Sequence, residues 1–178
     1  MALSSVDSFS RILIIFASFF SVAALALAIV GISTQYWSYT QFSNGTIENY
    51  NLFTRCIASV NNASSICTDI PRTTSLGVST LHAAAFLIVA ICLLGCAMLV
   101  LTLMICIQLP GLLVFIPPIL LFLAALFMVA TFAETSKVTV YNSYSAILVQ
   151  TSHVATIFSL GISALAAGRL HLRYYEQF

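Results

Sequence analysis

The sequence predicts an all-α membrane protein: a four-transmembrane-helix bundle with a small disulfide-pinned extracellular antiparallel β-sheet. Three observations predict it. Only 6% of the 178 residues are charged and 61% are hydrophobic, against roughly 25% charged in soluble domains. The apolar residues gather into four runs, each close to the roughly 20 residues that a membrane span requires. One long polar stretch, Trp37 to Cys67, separates the first two runs and carries a pair of cysteines.

The chain reads as a single four-span domain over residues 1–178. The spans fall at about residues 12–34, 81–107, 112–133 and 151–170, with outer loops at about 35–80 and 134–150. Backbone groups in lipid must pair within their own segment, so these runs are helices. Almost no charge lies inside them, as expected where one costs at least ~3 kcal/mol. The first run exceeds the roughly 7–15 apolar residues of a cleaved signal, so it is expected to stay as a span. A net charge of +1 gives no electrostatic case for a nucleic-acid partner.

Within the spans, Ala17, Ser21, Ala24 and Ala28 share one helical face and permit close helix packing. Ala164 and Gly168 form a second small-residue pair in the fourth span. Cys92 and Cys96 lie one turn apart; two thiols make a poor metal site, so both are expected to be buried as small hydrophobes. Cys106, near the inner end of its span, is the candidate for S-palmitoylation. Pro110-Gly111 makes a tight turn between spans two and three, and Pro117-Pro118 predicts a fixed kink in span three. His82, Glu134 and His153 fall at similar outer depth and are read as separate interfacial residues. No nucleophile–base constellation is visible, so the reading is non-catalytic, with no metal and no cofactor.

The first outer loop reads as strands. Residues 35–42 are rich in aromatic residues and Thr, Asn44-Gly45 signals a turn, and residues 47–53 form the return strand. Leu52 to Ile57 alternates loosely, a second turn falls at Asn61-Asn62, and a short strand over 65–70 ends before Pro71. A Cys56–Cys67 bridge pins this sheet and contributes about 3 kcal/mol in the chain-entropy view. Residues 137–141 also alternate and are expected to add a strand.

Charge does not set the orientation. Arg11, Arg169 and Arg173 flank one side, and Arg55, Arg72 and Lys137 the other. The sequons at Asn44 and Asn62 and the cysteine pair do set it, since glycosylation and a lasting disulfide both require the secretory side. The first loop is therefore expected outside, both termini in the cytoplasm, and the protein in the plasma membrane.

Trp37, then Asn51-Leu52-Phe53-Thr54-Arg55-Cys56, then Cys67 resembles the loop signature of the claudin, peripheral myelin and epithelial membrane protein superfamily. That signature is a Trp beyond helix 1, then Gly-Leu-Trp, two residues, Cys, and a second Cys. Asn51 stands for its Gly and Phe53 for its Trp. The resemblance implies signature roles for Trp37, Leu52 and Phe53. It also implies cell adhesion or paracellular barrier formation at cell junctions such as tight junctions. The implied partners are like or related four-span proteins in cis and trans within the lipid bilayer, and a PDZ scaffold at Phe178. The alternative, closer to the myelin and epithelial branch by the position of the Asn44 sequon, is a membrane-organising tetraspan that associates laterally. No Asp, Glu, Lys or Arg lies between Cys56 and Cys67, which favours a barrier or weakly selective role over a strong ion filter.

The orientation has a direct test. Asn44→Gln and Asn62→Gln are each expected to remove one endoglycosidase-sensitive band step in cell lysates. An unmodified parent chain whose loop is labelled only from the cytosol would reverse the topology.

Overall fold

Two long apolar helices separated by most of the chain form the tightest seam. In a computed structural model, which describes residues 8–34, 36–43, 45–59, 62–69, 81–107, 111–136 and 143–176, α1 spans Ser8–Ser33 and α4 spans Tyr144–Glu176. Between them come β1 (Ser38–Gln41), β2 (Thr46–Tyr50), β3 (Thr54–Ser59), β4 (Asn62–Asp69), α2 (Leu81–Cys106), a 3-10 turn (Gly111–Phe115) and α3 (Ile116–Ser136). Four helical segments are long and apolar enough to cross a membrane; at roughly 1.5 Å per residue, 26 residues rise about 39 Å. The helices form a ring, α1 against α2 and α4, and α3 against the other sides of α2 and α4.

The α1–α4 seam is built from small and hydroxyl side chains. Ala17, Ser21, Ala24, Ala28 and Gly31 of α1 are buried, as the sequence predicts for the first four. They face Ser145, Val149, Ser152, Thr156, Ser159 and Ser163, a buried stripe on α4 that steps four and three residues at a time. Hydroxyls bridge the helices: Ser152 Oγ donates to the Ala24 carbonyl at 2.6 Å, Ser159 Oγ to that of Ala17 at 2.8 Å, and the Ser21 and Ser159 hydroxyls lie 2.7 Å apart. In lipid, where apolar burial gives little drive, such bonds contribute about 0.6 kcal/mol each. Ala164–Gly168 plays no such part: Ala164 is exposed, and nothing lies within 4 Å of a Cβ built on Gly168.

Three further expectations change. The fourth helix begins at Tyr144, well inside the expected loop of residues 134–150. Its polar start is helical because the residues just after α1 supply partners: Thr34 Oγ1 donates to Ser145 Oγ at 2.7 Å, and the Ser145 N–H donates to the Tyr36 carbonyl at 3.3 Å. Pro117 and Pro118 fall in the first turn of α3. There a missing N–H costs nothing, so the pair starts the helix instead of kinking it. Cys92 and Cys96 are exposed on the outer face of α2, because the inward positions go to Ala90, Leu94, Ala97 and Leu101. The Pro110 turn and the expected strand over 137–141 lie outside the described residues.

The sheet is a meander in the order β1-β2-β3-β4, antiparallel throughout. Its first hairpin turns through Gly45, whose φ of 77° needs a residue without Cβ. The Phe42 N–H donates to the Thr46 carbonyl at 2.9 Å across this turn.

Gly31 limits how closely α1 and α4 approach. A Cβ there would lie 2.5 Å from Val149 Cγ2 and 3.1 Å from the Ser145 carbonyl oxygen. Gly31→Val is expected to lower stability by about 1–3 kcal/mol through overpacking, seen as a lower unfolding midpoint in detergent. Gly168→Val, at an open position, serves as the neutral control. Equal midpoints for the two variants would show that the seam tolerates the added volume.

Candidate functional site

The site begins with one aromatic ring at the base of the sheet. Trp37 is 2% exposed, and its Nε1–H donates to the Gly31 carbonyl at 2.9 Å. That carbonyl belongs to the last turn of α1, where helix oxygens lack intrahelical partners. The ring packs in a cluster with Leu52, Ala83, Ala84, Leu87, Ala146 and Val149. The socket therefore draws on α2 and α4 as well as the loop, and its small alanines leave room for the indole. Trp37 and Leu52 are anchors buried under the sheet, away from any outer contact face. Phe53, the third signature residue, is exposed.

The turn between β2 and β3 explains Asn51. Tyr50 pairs with Arg55, which leaves Leu52 and Phe53 as a two-residue connection. The Asn51 N–H donates to the Thr54 carbonyl at 2.9 Å. Asn51 Oδ1 accepts from the backbone N–H groups of Phe53 and Thr54 at 2.5 and 3.2 Å. An Asx turn of this kind does locally what a glycine allows conformationally. It sends Leu52 into the socket while Phe53 stays at the surface.

Cys56 and Cys67 are bonded, directly opposite each other on β3 and β4, with Cα atoms 4.0 Å apart. Cys56 is buried and Cys67 exposed. The same register sets Glu48, Ile57 and Ile66 in one row on the other face of the sheet. Ile57 and Ile66 are 40% and 70% exposed.

Arg55 is ion-paired with Glu48, through both Nε and Nη2, across the β2–β3 hairpin. Glu48 is buried, so its carboxylate requires this partner. Sequence reasoning missed Glu48. Once the two-residue turn is placed at 52–53, Glu48 becomes the diagonal cross-strand neighbour of Arg55, and diagonal pairs of opposite charge are expected to meet. Asp69 is exposed at the end of β4.

The remaining candidates lie apart from this surface. Cys106 is exposed at the end of α2. His82 is exposed at the start of α2 and His153 is half-buried, edge-on to Phe132 with centroids 5.9 Å apart. Among the described residues no three His, Cys, Asp or Glu side chains gather as a metal site would require. Asn62 opens β4, while Asn44 and Phe178 lie outside the described residues. A scan against protein-family models finds no match, and a search of curated proteins finds none either.

The Trp37 anchor is testable by two substitutions. Trp37→Phe keeps a ring and loses the donor, for an expected cost of about 1 kcal/mol. Trp37→Ala empties the socket, for an expected cost of about 3–5 kcal/mol. Unfolding midpoints in detergent or nanodiscs should rank in that order, and midpoints equal to the parent's would refute the anchoring role.

Proposed function

We propose that this chain is a non-catalytic, claudin-like plasma-membrane protein whose sheet faces outside, with both termini in the cytoplasm, and makes cell–cell contact or a paracellular barrier. The carrying observation is the sheet surface itself. It exposes Ile57 and Ile66 in one cross-strand row, while the nearest strong charges, Glu48 and Arg55, cancel each other. Exposed apolar groups on a rigid base favour protein contact, and a wall whose central charges are paired, with Asp69 left at the end of its edge strand, has little to separate cations from anions. The base is rigid because Trp37 and Leu52 fix the sheet to three helices. Lateral organisation of other membrane proteins is the alternative that the same tests separate.

Expression in cells that lack junction strands is expected to concentrate the protein at cell–cell contacts and produce particle rows on freeze-fracture. Monolayers should gain resistance with little change in cation-to-anion permeability ratio. Cys56→Ser is expected to abolish contact enrichment while all four spans still insert, as protease protection would show. Even distribution of the parent protein over the cell surface would reject the contact reading in favour of the lateral one.

A further inference from the structure

Two aromatic rungs mark one flank of the α1–α4 seam. At the end where α1 begins and α4 finishes, the Arg169 guanidinium lies over the Phe9 ring, 4.7 Å from its centroid. Farther along, the Phe20 and Phe158 rings stack with centroids 6.0 Å apart. Eleven residues separate Phe9 from Phe20, and eleven separate Phe158 from Arg169. That step is close to three helical turns, so each helix presents its two rung residues on one face. Phe16 and Leu165 lie on the same faces between the rungs and are 53% and 65% exposed. The flank is an uncovered apolar strip that ends in a cation.

Length and depth decide what such a strip accepts. Eleven residues rise about 16 Å at roughly 1.5 Å each, and one leaflet supplies about 15 Å, half of the hydrocarbon core. The strip therefore matches a single acyl chain, with Arg169 at the level of that lipid's headgroup. Leu172 lies nearer the helix end than Arg169, is 66% exposed, and belongs to the same membrane-competent span, Tyr144–Arg173. Arg169 thus sits between exposed apolar side chains at the membrane boundary, where a cation favours a phosphate partner. Arg173, also exposed, follows one turn later on the same face. Two guanidinium groups favour a headgroup with net negative charge over a zwitterionic one. Arg11 is two residues from Phe9 and so falls on the opposite side of α1.

We infer that this flank binds one anionic phospholipid, with its phosphate and headgroup charge at Arg169 and Arg173 and one acyl chain along the strip between the two rungs. The Phe9 ring holds the Arg169 guanidinium at phosphate depth through its π face. The bound lipid touches α1 and α4 together, so it clamps the seam from outside while the serine hydroxyls hold it from within. Because it binds the assembled pair of helices, it stabilises the folded bundle by mass action. Assigning the site to the cytoplasmic leaflet rests on the orientation proposed above. Cell contact plays no part in it.

The full chain is reconstituted in phosphatidylcholine nanodiscs that carry phosphatidylserine in both leaflets, so the direction of insertion is immaterial. Spin-labelled phosphatidylserine and phosphatidylcholine then report, by electron spin resonance, how strongly the protein prefers the anionic lipid. The parent chain is expected to prefer phosphatidylserine. Arg169→Gln and Arg173→Gln are each expected to lower that preference about fivefold, and Phe9→Leu, which keeps an apolar side chain, about twofold. Arg11→Gln is expected to leave it unchanged. No preference in the parent, or an equal loss from Arg11→Gln, overturns the inference, the latter because net charge alone would explain it. Soluble glycerophosphoserine is expected not to compete; displacement at a concentration equal to that of the lipid overturns the acyl-chain assignment. Lipid preference together with a first loop labelled only from the cytosol sinks the orientation alone. An outward, glycosylated loop without lipid preference sinks the lipid site alone.

Discussion

The indole N–H of Trp37 and the carbonyl of Gly31 impose the constraint on which the two halves of the molecule depend. A buried indole donor requires an acceptor, and the last turn of α1 offers one at 2.9 Å, which the Thr34 hydroxyl shares at 3.2 Å. Gly31 meets two demands at once. It presents that carbonyl, and its missing Cβ lets α4 close against α1 at Val149. The ring then fills the space between α1, α2 and α4, and the strands that leave it inherit a fixed direction. Leu52 reaches the same socket from the next hairpin because Asn51 folds the turn back on itself. Two points of attachment make the sheet an extension of the bundle.

Below that socket the helices are held by a different chemistry. Inside lipid, apolar side chains gain little by meeting one another, so close approach and hydroxyl pairing carry the α1–α4 seam. The bonds run from serine side chains of α4 to backbone carbonyls of α1. They therefore depend on the position of the α1 backbone, which its small residues keep near. The outer faces of the helices are left to bulky aliphatic and aromatic residues and to three thiols.

Much of this was legible in the sequence. Hydropathy alone located four helices, and the cysteine pair and turn residues located the sheet, because both signals are local. The small face of α1 was readable for the same reason, since its period lies within one helix. What was missed depended on partners distant in the chain. The polar start of α4 resembles a loop until Thr34 and Tyr36 are placed beside Ser145. Cys92 and Cys96 resemble core residues until the inward face of α2 is known. Pro117-Pro118 was misplaced because the 3-10 turn at Gly111–Phe115 was not foreseen, and with it the true first turn of the helix. Glu48 went unnoticed because its importance arises only from the register of the β2–β3 hairpin. In the candidate surface, the bridge and the signature residues were visible as identities; which of them are buried was not.

The composition of the Trp37 socket also orders the events of synthesis. The cysteines are 11 residues apart, so their bond is a local event available as soon as the first loop has been made. The seat for the ring is different, since Ala146 and Val149 belong to the last helix. Until that helix is made, a nascent chain holds an indole whose acceptor on α1 is already present but whose seat lacks its α4 wall. The apolar underside of the loop is then open to chaperones or to other chains. Ribosome-bound intermediates ending before residue 144 should therefore carry the disulfide while lacking the protease resistance of the finished protein. Quality control of this fold would turn on the arrival of its final span.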